Sequence, residues 1–184
     1  MFSIFAGSQQ MLLEICYLFT YSDGNSSSEE MTLFQSICRE MDVDQRTQDT
    51  IIRKYSSDTN ITYEYIVGKI TQFLDADIWI KNNKSKQAEM IWNLVNIGYA
   101  DKDFSENERK IISFIVEQLE FSKTTLDDYI DTAETMLMLT NEKEWVKTTD
   151  KSYDEINAKI TKIDEFIKKL GEKIKADIYE IEIA

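Results

Sequence analysis

One stretch of this chain occurs twice. YSDGNSSSEE at residues 21–30 and YADKDFSENE at residues 99–108 align without a gap, pairing Tyr21 with Tyr99, Asp23 with Asp101, Ser27 with Ser105 and Glu30 with Glu108. At the same offset of 78, Thr47, Asp49 and Ile52 pair with Thr125, Asp127 and Ile130. Where identity fails, apolar character persists: Leu13 with Ile91, Cys16 with Leu94, Leu33 with Ile111, Met41 with Leu119, Val43 with Phe121. Ahead of each loop, Leu12, Ile15, Cys16 and Phe19, then Ile91, Leu94, Val95 and Gly98, recur at helical spacing. Behind each, Met31, Phe34, Ile37, Cys38 and Met41, then Ile112, Ile115, Val116 and Leu119, do the same. The repeat predicts a helix–loop–helix–helix unit used twice, and so an all-α helical bundle. No proline occurs anywhere in the 184 residues, as suits helices joined by short connectors.

Between the copies, Tyr63, Ile66, Ile70, Phe73 and Leu74 mark a further amphipathic helix. KNNKSKQ at 81–87 reads as a polar linker, and TNEKEWVKTT as a short helix around Trp145. Ser152 and Glu155 form an S-x-x-E capping box that opens a last long helix over 151–184. Its seam of Ile156, Ile160, Ile163, Ile167, Leu170, Ile174, Ile178 and Ile181 alternates fours and threes over a length of about 45 Å. Such a stripe either packs on the domain's own core or pairs two copies as a homodimer. Gly171 marks a place for a bend or break, and the alternating YEIEIA leaves a short terminal strand as a competing reading.

Three readings compete for the repeated loop. An EF-hand starting at Asp101 would need glycine at its sixth position and glutamate at its twelfth, which are Glu106 and Ile112. From Asp23 the same places hold Ser28 and Phe34, so neither copy is an EF-hand. As a connector, Ser27-x-x-Glu30 and Ser105-x-x-Glu108 are capping boxes, with Asp23 and Asp101 placed to accept loop amides. As a less regular metal loop, Asp23 and Glu30 with Asp101, Asp103 and Glu108 offer hard oxygen ligands suited to calcium, magnesium or manganese. If the copies pack about a pseudo-twofold axis, the two loops could share one ion.

Composition removes whole classes of chemistry. The chain has no histidine, which excludes Ser-His and Cys-His nucleophile pairs and His-liganded zinc. Cys16 and Cys38 lie in helical patterns opposite Leu94 and Val116 and read as buried small hydrophobes. Asp75 and Asp77, two apart on a helix, point in different directions and make no glycosidase pair. Net charge is −13, and it follows the repeat: residues 1–50 carry 8 acids and 2 bases, residues 101–150 carry 13 and 6. Nucleic acid would be repelled, whereas a basic protein or a divalent cation would be attracted. Asp127, Asp131 and Glu134 share a helix face opposite Leu126, Ile130, Ala133 and Leu137, a solvated face or a partner-docking patch. The N-terminus has no basic n-region, no cleavage site and no apolar run long enough to span a bilayer, so the expectation is a cytoplasmic protein without membrane insertion.

LLEICYLFTYSDGNSSSEE and IWNLVNIGYADKDFSENERKIISFIVEQLEF resemble the tellurite-resistance TerB-like domain, in which a helix ends in Tyr-Ala-Asp-Gly and the next opens on Ser-x-x-Glu. The resemblance places a duplicated TerB-like domain in residues 1–150, with copies at about 11–55 and 89–137, and leaves 151–184 unmatched. It implies an all-helical bacterial stress-response protein whose motif acids, here Asp23, Glu30, Asp101 and Glu108, are suspected of holding metal. The motif glycine is kept as Gly24 but is Lys102 in the second copy, and its alanine is Ser22 in the first. The expected function is a non-catalytic acidic interaction module. The alternatives are a divalent-cation sensor and an acidic inhibitor or immunity protein that masks a basic partner.

Overall fold

The computed structural model describes residues 2–56, 61–76 and 78–183, with the backbone alone at 2–8, 78, 79, 182 and 183. Among the described residues there are nine helices and no strand: α1 (Phe2–Phe19), α2 (Ser28–Glu40), α3 (Gln45–Ser56), α4 (Tyr63–Ala76), α5 (Ile78–Asn82), α6 (Lys84–Gly98), α7 (Glu106–Gln118), α8 (Lys123–Lys147) and α9 (Tyr153–Ile183). The duplication is visible in the backbone. Helices α2 and α7 begin and end 78 residues apart, and α3 and α8 begin 78 apart.

The helix ends repeat as well. After α2, the Asp42 amide donates to Arg39 O at 3.1 Å and the Val43 amide to Cys38 O at 2.9 Å. After α7, Glu120 donates to Glu117 O at 3.2 Å and Phe121 to Val116 O at 2.9 Å. This is a Schellman stop in both copies, with Asp42 (φ 54°) and Glu120 (φ 49°) in the left-handed region that usually favours glycine. Val43 and Phe121, one residue on, pack against the core and hold the stop in place.

Helices α1 and α6, equivalent in the two copies, pack against each other at the centre. Helices α2, α3 and α4 cover α1, while α2, α5, α7, α8 and α9 cover α6. Every residue from Leu12 to Thr20 is buried, as are Ala88, Met90, Ile91, Trp92, Leu94, Val95 and Ile97. Each such large aliphatic or aromatic side chain contributes about 1.5–3 kcal/mol through burial, so the central pair supplies a large share of the bundle's hydrophobic stabilisation.

Four local expectations change. The stretch 81–87 is no linker: Asn83 caps α6 by accepting the Lys86 amide at 3.0 Å, and Gln87 donates to Ile80 O and Lys81 O. Trp145 belongs to no separate helix but to the last turns of α8. Residues 179–183 of the YEIEIA stretch continue α9 and form no strand, because Ile178 and Ile181 pack on the core at helical spacing; Ala184 lies outside the described residues. Nor does α9 break at Gly171, where the Met136 methyl stands 3.5 Å from the position a Cβ would take.

The isoleucine seam of α9 faces inward on its own chain. Ile163 and Ile174 are buried, and Ile156, Ile160, Ile167, Leu170, Ile178 and Ile181 are half-buried. Lys143–Asp164 at 2.6 Å and Lys159–Glu142 at 2.7 Å tie α8 to α9. Replacing Gly171 with alanine adds helix propensity at an ordinary van der Waals distance. Gly171→Ala is expected to stabilise by about 1 kcal/mol, raising the melting midpoint by roughly 2–4 °C. A lowered midpoint would mean that the Met136 contact is already tight.

Candidate functional site

Each repeated loop is built by its own side chains. The chain leaves α1 through a turn in which the Gly24 amide donates to Tyr21 O at 2.9 Å, and leaves α6 through the same turn, Lys102 to Tyr99 O at 3.2 Å. Gly24 (φ 97°) and Lys102 (φ 76°) both have positive φ, so the second copy keeps with a lysine a conformation suited to glycine. Asp23 Oδ1 accepts the Asn25 amide at 3.2 Å, and Asp101 Oδ1 accepts the Asp103 amide at 3.0 Å. Both capping boxes are formed. The Ser27 and Ser105 amides donate to Glu30 and Glu108 Oε2 at 2.7 and 2.6 Å, while the glutamate amides return to the serine Oγ atoms at 3.1 and 3.3 Å.

The fold then brings the two loops together. Asn107 Nδ2, in the first turn of α7, donates to Ser22 O in the first loop at 3.2 Å. Glu30 and Glu108 are buried, at 3% and 4% exposure. Burial pushes Glu108 up to about 7, against the pull of its Ser105 bonds, and the charges of Glu30 and Asp101 push it further. Burial likewise raises Glu30, with Asp101 and Asp23 adding to the effect. The junction is thus a place where carboxylates of both repeats feel one another. The Ser22 and Ser26 hydroxyls are buried there without a hydrogen-bond partner among the described residues.

All four motif carboxylates already give one oxygen to a backbone amide. Among the described residues no three acidic or cysteine side chains stand close enough to hold a metal ion. As arranged, each loop's acids serve its own backbone, and an ion would have to draw their remaining oxygens together. Asp103 lies exposed at the loop surface.

The acids of α8 divide. Asp127 and Asp131 are exposed, whereas Glu134 accepts the Tyr99 hydroxyl at 2.6 Å and lies 4.0 Å from Arg109 Nη2. Arg109 also donates from Nε to Phe104 O at 3.2 Å and stands over the Phe104 ring. Gly98 lies under that ring, where a Cβ would come within 2.8 Å of it. Cys16 and Cys38 are buried free thiols, pushed up to about 12 and about 11 chiefly by burial. Asp75 pairs with Lys81 at 3.0 Å; Asp77 and the Trp79 side chain lie outside the described residues.

One polar cluster has no counterpart among the sequence expectations. Glu14, 3% exposed within the apolar run LLEICYLF, accepts Lys54 Nζ and the Tyr55 hydroxyl, both at 2.6 Å, and Gln10 Nε2 at 3.0 Å. Burial pushes its carboxyl up, but these bonds outweigh it and hold the group below its ordinary value. A lone charge inside a helix buried on all sides was the available signal, since such a charge needs a partner.

Residues 9–129 match the family described as Tellurite resistance protein TerB. The chain belongs to the TerB family. No curated protein and no solved structure matches it at a significant level. The TerB match takes in both acidic loops and ends in the second turn of α8, so most of the α8–α9 hairpin lies beyond it.

The electrostatics of the TerB junction have a pH signature. The folded-state value of Glu108 lies above its ordinary 4.5, so the folded chain keeps this proton longer. Its contribution to stability is present below about pH 4.5 and is lost as pH rises to about 7, on the order of 3 kcal/mol at most. Glu108→Gln keeps an oxygen for the Ser105 amide but has no charge to repel. Between pH 5 and pH 8 the melting midpoint of this variant should gain several degrees on the parent. A constant difference across that range would show that burial and the neighbouring charges do not raise Glu108.

Proposed function

We propose that the chain is a non-catalytic acidic interaction module of a TerB-type bacterial stress-response system, acting in the cytoplasm. In this reading the two repeats form the body and the outer half of the α8–α9 hairpin offers the partner surface. The observation that carries it is the exposure of large apolar side chains there: Met138 at 68%, Trp145 at 61% and Phe166 at 51%. Met138 and Trp145, seven residues apart, share one face of α8, and Lys159 stands 5.4 Å from the centre of the Trp145 ring. Exposed tryptophan, methionine and phenylalanine are residues that interfaces favour at their centres. The absence of histidine and the backbone duties of the loop acids support a role without catalysis. Among the described residues no helix is long and apolar enough to cross a membrane.

A Trp145→Ser, Phe166→Ser double variant tests the surface. Both side chains are mostly outside the core, so stability should stay within about 1 kcal/mol. Proteins recovered with the parent from its native cells should be lost with the variant, and light scattering will show whether the partner is a second copy. Recovery of the same proteins in the same yield would remove the hairpin from the reading.

The acidic junction favours a second reading, a divalent-cation sensor, because an ion would supply a counter-charge to Glu30 and Glu108, which burial raises and neighbouring carboxylates raise further. For this reading, calcium, magnesium or manganese at a hundredfold its dissociation constant should stabilise by about 2.7 kcal/mol. The corresponding rise in midpoint, roughly 5–10 °C, should vanish in an Asp23→Asn, Asp101→Asn variant. No rise with any of the three ions would leave the loops as connectors.

A further inference from the structure

A groove of about 600 Å³ runs between the inner part of α8 and the C-terminal half of α9. Its walls carry Asp128 and Asp131 from α8 and Asp177 and Glu180 from α9, against the single cation Lys173. None of these four carboxylates makes an ion pair or a side-chain hydrogen bond among the described residues. Leu170, Ile174 and Ile181 supply an apolar lining. Tyr129 also lines the groove; it is 1% exposed, and its hydroxyl has no hydrogen-bond partner among the described residues. Burial, with the charge of Asp177, pushes that phenol up to about 12, so it stays a neutral hydroxyl able to accept a hydrogen bond.

These features select among cations. A metal ion needs several oxygens converging on one point, and among the described residues no acidic group of three does so. Here the acids stand instead as two pairs, each spaced three residues along its helix, or about 4.5 Å. Charges spread along a groove with apolar lining between them suit a cation whose own charges are spread along an aliphatic chain. An ammonium group has donors and no acceptors, which matches four carboxylates and an unpartnered phenol oxygen. The volume lies within the range of small-molecule sites. We propose that the α8–α9 groove binds a linear aliphatic polyamine, with its ammonium groups on Asp128, Asp131, Asp177 and Glu180 and its methylenes over Ile174.

The site is separate from the acidic junction and from the exposed face around Trp145. Titration calorimetry of the full chain with spermidine, at physiological ionic strength, tests it. Saturable binding of one spermidine per chain is expected. Asp131→Asn with Asp177→Asn should weaken it at least tenfold, and Tyr129→Phe severalfold. Asp23→Asn with Asp101→Asn, the same change in net charge made at the loops, should leave affinity within about twofold. Equal weakening by the two double variants would reduce the effect to diffuse charge and overturn the site. So would non-saturable binding, displacement by stoichiometric magnesium, or binding of an oligolysine peptide in the groove without binding of spermidine.

Discussion

Two central, largely buried helices set the terms for everything around them. Helices α1 and α6 pack on each other and are wrapped by the rest, so their burial supplies much of the hydrophobic stabilisation. The same burial forbids an unpartnered charge on either. Glu14 is tolerated because Lys54, Tyr55 and Gln10 converge on it from two helices; the neutral Gln87 closes the end of α5 through its Nε2, while its Oε1 has no hydrogen-bond partner among the described residues. Removing a partner from such a group would leave the charge or amide buried and unsatisfied, which costs more than the bond itself is worth.

The acidic junction follows from the same packing. Because α1 and α6 are equivalent and adjacent, the loops that leave them are adjacent too, as the Asn107 to Ser22 bond shows. Each capping glutamate is drawn inward to reach its serine amide, and that inward position puts Glu30 and Glu108 within reach of the other repeat's charge. A local rule for starting a helix, applied twice in a duplicated fold, produces an electrostatic coupling that neither copy would have alone.

How much of this was legible in the sequence differs from feature to feature. The capping boxes and the Asp turns were readable because their partners lie two or three residues apart. The TerB resemblance was readable for the same reason, since its motif is local. The stretch 81–87 misled because Asn83 and Gln87 act through a cap and a buried amide, while composition alone suggests a polar linker. YEIEIA stayed open between two readings because so short a stretch fits a two-residue period as well as a helical one, and only the packing of Ile178 and Ile181 decides. The groove was not legible at all. Asp131 stood out on its helix face, but Asp177 and Glu180 join it only once α9 folds back along α8, some fifty residues later.

Helix α8 crosses the end of the TerB match without interruption. Its first two turns lie within the family match, and the same rod continues to Lys147. From Tyr129 to Lys147 that rod is ~27 Å long at 1.5 Å per residue. A tilt of about ten degrees at its root would carry the far end by ~5 Å, with α9 moving alongside through its ion pairs. The length of the outer hairpin, rather than any contact it makes there, sets how far Trp145 would travel for a given tilt.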